Sequence, residues 1–562
     1  MNTNVSQLRS SPHSLRALFA AGVVLAVAGC ATAATPAPPA PARTGSAVPA
    51  AAGTTSAGSA GRTGGVAGST LPSGDAAEAA TIRAFDALRG DSARLDVFLR
   101  AMPKGGDLHN HLSGAVYAES FIAWADSDGD CLRASVLTVV PPRSCGDSLP
   151  TVHAALLRDG ALHDRLVDAF SMRNYHPAME SGHDRFFATF GRFGAATDGR
   201  TGDMLAEVTH RAAEEGERYL ELMLTPDGGS VGRLGLATGW NDDWDHLRQE
   251  LLDAGLRDTL KLASHALDRA EARRDSILGC SGAHPDPGCT VTVRYDYQVL
   301  RAMPRPWVFA QILAGFEMTR ADPRVVGFNL VQPEDDPVAM RDYTLHMRII
   351  QHLHATYPGV PVTLHAGELV PGMVPPEGLR FHIRQAVEIA GARRIGHGVD
   401  VLHEDDPDGL LKEMAKRHVM VEINLTSNDV ILGVRGARHP LRTYLAYGVP
   451  VALSTDDAGV SRSDITWEWV KAVEEQGVDY PTLKAMDRNS LEYAFVEGAS
   501  LWRDYATLTP VDACAPAAGG LDGASCRAFT AANTKARLEA SLERDLRAFE
   551  ARVAKGGWPI EW

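Results

Sequence analysis

The stretch "GGDLHNHLSG" (residues 105–114) places two histidines one residue apart at the end of an apolar run. On an extended strand, side chains at positions i and i+2 point to the same face. We therefore expect His109 and His111 to lie side by side and to face one space. Such a pair suits a metal ion, but an isolated His-x-His also arises by chance. The rest of the chain has to separate these two interpretations.

Seven further apolar runs follow this one, and helix-like segments lie between them. In chain order the eight runs are "GGDLHNHL", "RYLELMLTP", "TVRYDYQVL", "VVGFNLVQP", "PVTLHAGE", "RRIGHGVDV", "VMVEINLTS" and "PVALSTDDA". The last five recur about every thirty residues, the length of one βα unit. This order predicts an α/β fold, a (β/α)8 barrel. A doubly wound open sheet is the alternative. The barrel is favoured because nearly every run carries its polar residue at the C-terminal end, where barrels hold their active sites.

Two early connections are long enough to hold insertions, residues 113–218 and residues 227–290. The first contains an aromatic helix, "HDRFFATFGRF", and insertions of this kind often form lids. We therefore expect a helical lid over the barrel. The C-terminal stretch "TKARLEASLERDLRAFEARV" predicts an amphipathic helix that packs against the body of the protein.

The chain has seven cysteines, and six of them fall into close pairs. The pairs are Cys131/Cys145, Cys280/Cys289 and Cys514/Cys526. Six cysteines allow fifteen connectivities. Neighbour pairing is favoured because each pair brackets a short turn-rich segment. Disulfides indicate an oxidising compartment outside the cytoplasm. None of the spacings is C-x-x-C, which disfavours a structural zinc site.

The seventh cysteine, Cys30, ends a segment with the features of a signal peptide. Arg9 and Arg16 precede the apolar run "ALFAAGVVLAVAGC", which is too short for a comfortable membrane span. Its last four residues resemble the bacterial lipobox, in which the cysteine is lipidated. An ordinary secretory signal is the alternative. We expect residues 1–30 to be a lipoprotein signal peptide and the protein to be exported and anchored to a bacterial membrane by lipid. Ala31 favours the outer membrane.

Residues 31–75 consist almost entirely of Ala, Pro, Gly, Ser and Thr. Such a segment cannot bury enough apolar surface to fold, so we expect a flexible tether. Helical periodicity begins near residue 75, which assigns residues 76–562 to the barrel and its C-terminal helices. The formal charge of −15 argues against DNA or RNA as a partner.

Three other strand ends join the His-x-His pair. The fifth run ends in His365 and Glu368, the sixth contains His397, and the eighth ends in Asp456 and Asp457. In a barrel these ends face one mouth. The set with the chemistry of a zinc site, nitrogen-rich with one oxygen, is His109, His111, His365 and Asp456.

A zinc-bound water loses its proton near neutral pH. Catalysis also needs groups that orient this water and that protonate the group under attack. His397 and Glu368 are the candidates, since the ligand set does not include them. Asp457 lies beside a ligand and is a candidate substrate contact.

The sequence resembles the adenosine deaminase family of zinc amidohydrolases. The matching motifs, in family order, are "MPKGGDLHNHLSGA", "HAGE", "IGHG", "SNDVI" and "STDDAG". The resemblance implies that one zinc ion is bound by His109, His111, His365 and Asp456. It further implies that Glu368 protonates purine N1 and that His397 acts as base or electrostatic partner for the attacking hydroxide. Asp457 would bond N7, and the backbone of Gly327 would meet N3.

The implied reaction converts adenosine, and also 2′-deoxyadenosine, to inosine and ammonia by hydrolysis. The aromatic helix resembles the family's hydrophobic lid over the ribose side, with Phe186 and Phe190 as its contacts. The alternative is that both phenylalanines belong to the core. The insertion with Cys131 resembles the secreted branch of the family. The family commonly has aspartate where this chain has Ser113, a weaker partner for the ribose 5′-hydroxyl.

Other readings of the site remain open. One is a mononuclear amidohydrolase acting on another purine or on an N6-substituted adenosine. Two-metal members usually place a lysine on the fourth strand, and "VVGFNLVQP" has none, which favours one metal. A cytidine-deaminase site needs C-x-x-C, which this chain lacks. A tethered nucleoside-binding protein with an inactive site is disfavoured because all the expected residues are present.

Overall fold

A computed structural model describes residues 76–146 and 148–556. The predicted signal peptide with Cys30 and the predicted tether over residues 31–75 lie outside the described residues, so both stay predictions.

The described residues contain twelve strands, numbered here in chain order. They are β1 (Gly106–His111), β2 (Cys131–Arg133), β3 (Thr138–Val140), β4 (Tyr219–Leu224), β5 (Thr292–Leu300), β6 (Val325–Val331), β7 (Thr363–Ala366), β8 (Arg394–His397), β9 (Met420–Ile423), β10 (Val451–Leu453), β11 (Trp502–Asp504) and β12 (Thr509–Pro510). Each of the eight predicted runs contains one strand: β1, β4, β5, β6, β7, β8, β9 and β10.

Helices fill the connections. They are α1 (Ala76–Asp86), α2 (Ser92–Ala101), α3 (Leu112–Ala115), α4 (Ala118–Ser127), α5 (Val152–Arg158), α6 (Leu162–Ala169), α7 (Gly182–Phe193), α8 (Thr201–Glu214), α9 (Ser230–Thr238), α10 (Trp244–Asp253), α11 (Leu256–Ile277), α12 (Arg305–Ala321), α13 (Pro337–Thr356), α14 (His382–Glu388), α15 (Pro407–Arg417), α16 (Leu425–Leu432), α17 (Leu441–Tyr447), α18 (Ala458–Ser461), α19 (Ile465–Glu474), α20 (Tyr480–Glu492), α21 (Ala524–Ala532) and α22 (Thr534–Ala554).

The eight strands form two parallel four-stranded sheets, β1-β4-β5-β6 and β7-β8-β9-β10. The sheets join at two seams. At the seam of β1 with β10, His111 N donates to Asp456 O over 3.1 Å, and Asp456 N donates to His109 O over 2.8 Å. At the seam of β6 with β7, His365 N donates to the side-chain oxygen of Asn329 over 2.8 Å. The predicted (β/α)8 barrel is therefore confirmed, and the alternative, a doubly wound open sheet, is wrong.

Burial on both faces explains why the strands read as continuous apolar runs. All seven residues of β6 are buried, for example. The barrel interior also holds a group of charged side chains around Arg394, which is fully buried. Its guanidinium donates to Glu422 over 2.6 Å, to Glu221 over 2.5 Å and to Asp296 over 3.4 Å. This ionic cluster forms a layer beneath the strand ends.

The three predicted disulfides are present, and they lie outside the barrel strands. Cys131–Cys145 closes the hairpin of β2 and β3, and Cys280–Cys289 follows α11. The third disulfide joins Cys514, which precedes α21, to Cys526 in the first turn of that helix. The two long insertions carry α3 to α8 and α9 to α11.

The predicted lid helix is α7, capped by Ser181, whose hydroxyl accepts from Asp184 N. It packs against α16, where a side chain at position 182 would clash with the carbonyl oxygen of Val430, so only glycine fits. The C-terminal helix α22 packs as predicted, since Glu550 and Glu543 pair with Lys484 and Arg488 of α20. None of the described helices is both long and apolar enough to cross a membrane.

Candidate active site

The four predicted metal ligands meet at the C-terminal mouth of the barrel. One donor atom from each lies within 4.8 Å of the others, and the residues are His109, His111, His365 and Asp456. The Nε2 atom of His365 lies 3.0 Å from Nε2 of His109 and 3.3 Å from Nε2 of His111. Nε2 of His111 lies 3.3 Å from Oδ1 of Asp456.

The other ring nitrogens of the three histidines are held by neighbouring side chains. His109 Nδ1 donates to Glu422 over 2.7 Å, and His365 Nδ1 donates to Asn329 over 2.8 Å. Because these protons sit on Nδ1, both Nε2 atoms carry lone pairs in the neutral tautomer. The Nδ1 atom of His111 lies 3.0 Å from the amide of Gln298. Lone pairs that converge with one carboxylate oxygen fit a cation such as Zn²⁺.

The charge states of these groups also fit a cation. Burial lowers the pKa of His111 to about 4, so its imidazole is neutral at neutral pH. Burial opposes ionisation of Asp456, but the nearby histidines and the hydroxyl of Ser427, 2.6 Å away, bring its pKa down to about 2. The centre therefore offers an ionised carboxylate at Asp456 and a neutral imidazole at His111. Burial opposes protonation of His109, but its hydrogen bond to Glu422 and the negative charge of that carboxylate raise its pKa.

His397 and Glu368 lie beside this centre. The Nε2 atom of His397 is 4.0 Å from Asp456 Oδ2, and its Nδ1 is 3.7 Å from Glu368 Oε1. Within the described part of the chain, His397 Nε2, Glu368 Oε1 and Asp457 Oδ1 are buried atoms without a hydrogen-bond partner. Buried polar atoms without partners are costly, so three of them around one space mark a place for a ligand.

Electrostatics separates the two candidate catalytic groups. Burial, and then the negative charge of Asp456, raises the pKa of Glu368 well above its ordinary value. Burial, and then the charge of His109, lowers the pKa of His397 to about 3. Burial therefore favours the protonated form of the Glu368 carboxyl and the neutral form of the His397 imidazole.

Backbone conformation aims these side chains into the mouth. His397 and Asp456 have φ of +69° and +59°, which residues with a β-carbon rarely adopt. The loop that carries Glu368 is tied down by Glu334, whose carboxylate accepts from Gly367 N over 3.1 Å and from Glu368 N over 2.8 Å. The strand ends therefore turn sharply and leave the functional groups clear of the sheet.

Asp457 and Ser113 lie on the β1 side of the mouth. A β-carbon added at Gly114 would fall 1.5 Å from Asp457 Oδ1, so this glycine makes room for the carboxyl group. Ser113 lines a cavity of about 300 Å³ that also includes Gln298, the partner of His111. The described residues around this cavity are apolar or carry hydroxyl and amide groups, and none is charged.

Gly327 is one predicted contact that the structure does not bring to the mouth. It lies in the middle of β6, and a β-carbon there would meet Asp296 and Phe495 in the layer of Arg394. This places it one layer below Asn329, which shares its face of the strand. The residue that follows β6 at the mouth is Gln332, with φ of +80°. The motif therefore lies on the predicted strand, but Gly327 lies below the mouth.

Phe186 and Phe190 occupy an aromatic cluster, with ring centres 5.8 Å apart, and Phe190 lies 5.4 Å from Phe193. Neither lines the cavity at Ser113. Their contact with a substrate stays a prediction. The lid helix is tied to the mouth by His183, whose Nε2 lies 3.0 Å from Asp335.

Several residues at this site were not predicted. Each of them forms a hydrogen bond to a candidate ligand or catalytic residue. They are Gln298, Asn329, Glu334, Glu422, Ser427 and Asn428. The signal for Glu422 and Asn329 was a polar residue inside an otherwise apolar strand.

Comparison with known proteins agrees with this geometry. Residues 259–500 match the family model described as "Adenosine deaminase". An adenosine deaminase of Shewanella loihica is 37% identical over 139 residues, which cover 25% of this chain and 39% of the relative. An adenosine deaminase of Escherichia coli is 35% identical over 139 residues, or 25% of this chain and 38% of the relative. The chain thus spans about two fifths of the length of the curated relatives it matches.

A solved structure adds a comparison of the fold. A zinc-bound amidohydrolase from Burkholderia ambifaria aligns with 83% of this chain and 95% of its own, at 17% identity and a TM-score of 0.47.

Proposed function

We propose that this chain, whose residues 259–500 match the adenosine deaminase family model, hydrolyses a purine nucleoside and releases ammonia. One observation carries the proposal. The four converging donor atoms adjoin three buried atoms without partners, on Glu368, His397 and Asp457. A metal site beside unpaired acid–base groups is an arrangement that can hydrolyse a carbon–nitrogen bond.

The metal that we propose is one Zn²⁺ ion on His109, His111, His365 and Asp456. Zinc supplies a water that loses its proton near neutral pH. Three buried imidazoles and one buried carboxylate are donor types that would hold zinc. The carboxylate of Glu422 and the amide of Asn329 orient two of the ligands.

The chain's own residues then act on the purine. Glu368, buried and close to His397, is placed to donate a proton to N1 as the nucleophile adds to C6. His397 faces the nucleophile from the side of Asp456. Asp457 has a buried oxygen without a partner, which we assign to the hydrogen bond with N7. Fixed groups of this kind contribute by positioning and by charge stabilisation in a site closed to water.

The cavity at Ser113 favours an uncharged sugar as the rest of the substrate. A phosphate group needs cationic or backbone N–H donors, and the described lining residues include no arginine and no lysine. Adenosine and 2′-deoxyadenosine are therefore the proposed substrates, with inosine and 2′-deoxyinosine as products. Because Ser113 is a weak hydroxyl partner, another purine or an N6-substituted adenosine is the second candidate.

We also propose that the enzyme is exported and held at a bacterial membrane, the outer membrane, through a lipid on Cys30. The three disulfides support an oxidising compartment. Labelling of the wild-type chain and of Cys30→Ser with radioactive palmitate tests the anchor, because only the wild-type chain should take up label.

Ammonia release tests the activity. Residues 76–562, exported to an oxidising compartment and loaded with zinc, are given adenosine with and without a chelator. Release that the chelator abolishes and zinc restores supports the proposal. A folded, zinc-loaded protein that releases no ammonia from adenosine, 2′-deoxyadenosine or N6-methyladenosine contradicts it.

A further inference from the structure

A chain of buried hydrogen bonds runs from a loop behind the site to His397. The backbone N–H of Leu441 donates to Nδ1 of His439 over 3.2 Å. Nε2 of His439 lies 3.1 Å from Oδ1 of Asn428, and Nδ2 of Asn428 lies 2.9 Å from Nδ1 of His397. His439, Asn428 and His397 are all buried, at 3%, 0% and 0% exposure.

The direction of this chain is set at its far end. A backbone N–H only donates, so Nδ1 of His439 must accept. A neutral His439 then carries its proton on Nε2 and donates it to the oxygen of Asn428. This leaves the NH2 group of Asn428 facing His397, whose Nδ1 must accept in turn. Each bond has one donor and one acceptor only in this orientation.

The neutral state of His439 has its own support. Burial, and then the charge of Lys471, lowers the pKa of His439 to about 3. A second amide nitrogen, that of Asn424, lies 3.4 Å from the same Nδ1 atom of His397. Two amide groups therefore converge on the nitrogen that the chain identifies as the acceptor.

We propose that His439 is a positioning residue, which through Asn428 holds His397 in the tautomer with its proton on Nε2. His397 then presents an N–H, and no lone pair, to the space beside Asp456 Oδ2, 4.0 Å away. In the resting enzyme it donates a hydrogen bond to the nucleophile and does not serve as its base. This inference rests on the proposed function for its kinetic consequence but not for the tautomer.

Three variants test the kinetic consequence in the zinc-loaded chain. Asn428→Asp offers His397 an acceptor and should move its proton to Nδ1. His439→Leu removes the donor that orients Asn428, and His439→Gln restores an N–H donor. We expect the first two to lower kcat for adenosine about 100-fold, with KM changed less than about 3-fold, and His439→Gln to recover most of kcat. Zinc content should stay at one per chain in all three.

The tautomer itself is read from ring nitrogen shifts in zinc-loaded protein that carries ¹⁵N-histidine, with His397 assigned by its loss in His397→Gln. Wild type should show a protonated Nε2 and a bare Nδ1, and Asn428→Asp the reverse. A proton on Nδ1 in the wild type overturns the proposal, as does full kcat in zinc-loaded His439→Leu. Should the wild type prove inactive, the proposed function fails while the shifts still decide the tautomer.

Discussion

The Nδ1 atom of His109 lies 2.7 Å from one oxygen of Glu422, and the other oxygen of that carboxylate accepts from Arg394 over 2.6 Å. A candidate metal ligand is thus oriented by the ionic cluster at the centre of the barrel. Because Arg394 also contacts Glu221 and Asp296, the ring of His109 is held by a cluster of side chains from four strands, β4, β5, β8 and β9.

Replacing Glu422 by glutamine should weaken zinc binding about 10- to 100-fold, because the ring of His109 loses its anionic partner. Competition with a chromogenic chelator measures the affinity. Asp296→Asn is the matched control. This substitution alters another carboxyl group beside Arg394, and that group contacts no histidine. Burial, and then the charge of Glu221, already raises the pKa of Asp296 well above its ordinary value. Equal losses in both variants would mean general damage to the barrel.

Glu368→Gln should keep one zinc per chain and lose kcat by about 10²- to 10⁴-fold, because it removes a proton donor and no ligand. Metal analysis and steady-state kinetics on the same preparation test both halves. A metal-free protein would make Glu368 a ligand and contradict its role.

Gly114→Ala should displace Asp457, because the added β-carbon would lie 1.5 Å from its Oδ1. We expect kcat/KM for adenosine to fall at least about 10-fold, because the substrate loses one hydrogen bond to a charged or strongly polar group. Gly191→Ala on the lid helix is the control, since a β-carbon there meets no atom within 4 Å. Unchanged kinetics in Gly114→Ala would show that Asp457 does not touch the substrate.

Ser113→Asp should raise kcat/KM for adenosine about 10-fold, because a carboxylate accepts a hydroxyl proton more strongly than serine does. The same variant should gain nothing with 5′-deoxyadenosine, which lacks that hydroxyl. An equal gain with both nucleosides, or none with either, would place the sugar elsewhere than the cavity at Ser113.

The stability of the metal-free protein should fall between pH 6.5 and pH 4, in part through His346. Burial lowers the pKa of this histidine to about 4, and among the described residues its ring nitrogens have no hydrogen-bond partner. The unfolded chain takes up the proton near pH 6.5, so the folded state loses stability as the pH falls towards 4.

The size of this effect is about 3 kcal/mol for a shift of this extent. His346→Phe should flatten the dependence of the urea midpoint on pH, and the exposed His265→Phe controls for the loss of a histidine. Parallel pH curves for His346→Phe and the wild type would contradict the prediction.

The barrel was predictable because burial on both faces makes each strand an apolar run, and because polar residues such as His365 and Asp456 end those runs. Depth within a strand was not predictable, since the pattern has a period of two and does not say which layer a residue occupies. Gly327 was misplaced for this reason. The partner of His109, Glu422, lies 313 positions away in the sequence, and only the closed barrel joins them.

The two seams of the barrel have a mechanical consequence. One is bridged by the backbones of His109, His111 and Asp456, and the other by the backbone of His365. Every candidate ligand therefore lies where one four-stranded sheet meets the other. The sheet that begins with β1 supplies His109 and His111, and the other sheet supplies His365 and Asp456. An ion bound by all four would cross-link the two sheets, so a catalytic metal would also stabilise the closed barrel against separation of its halves.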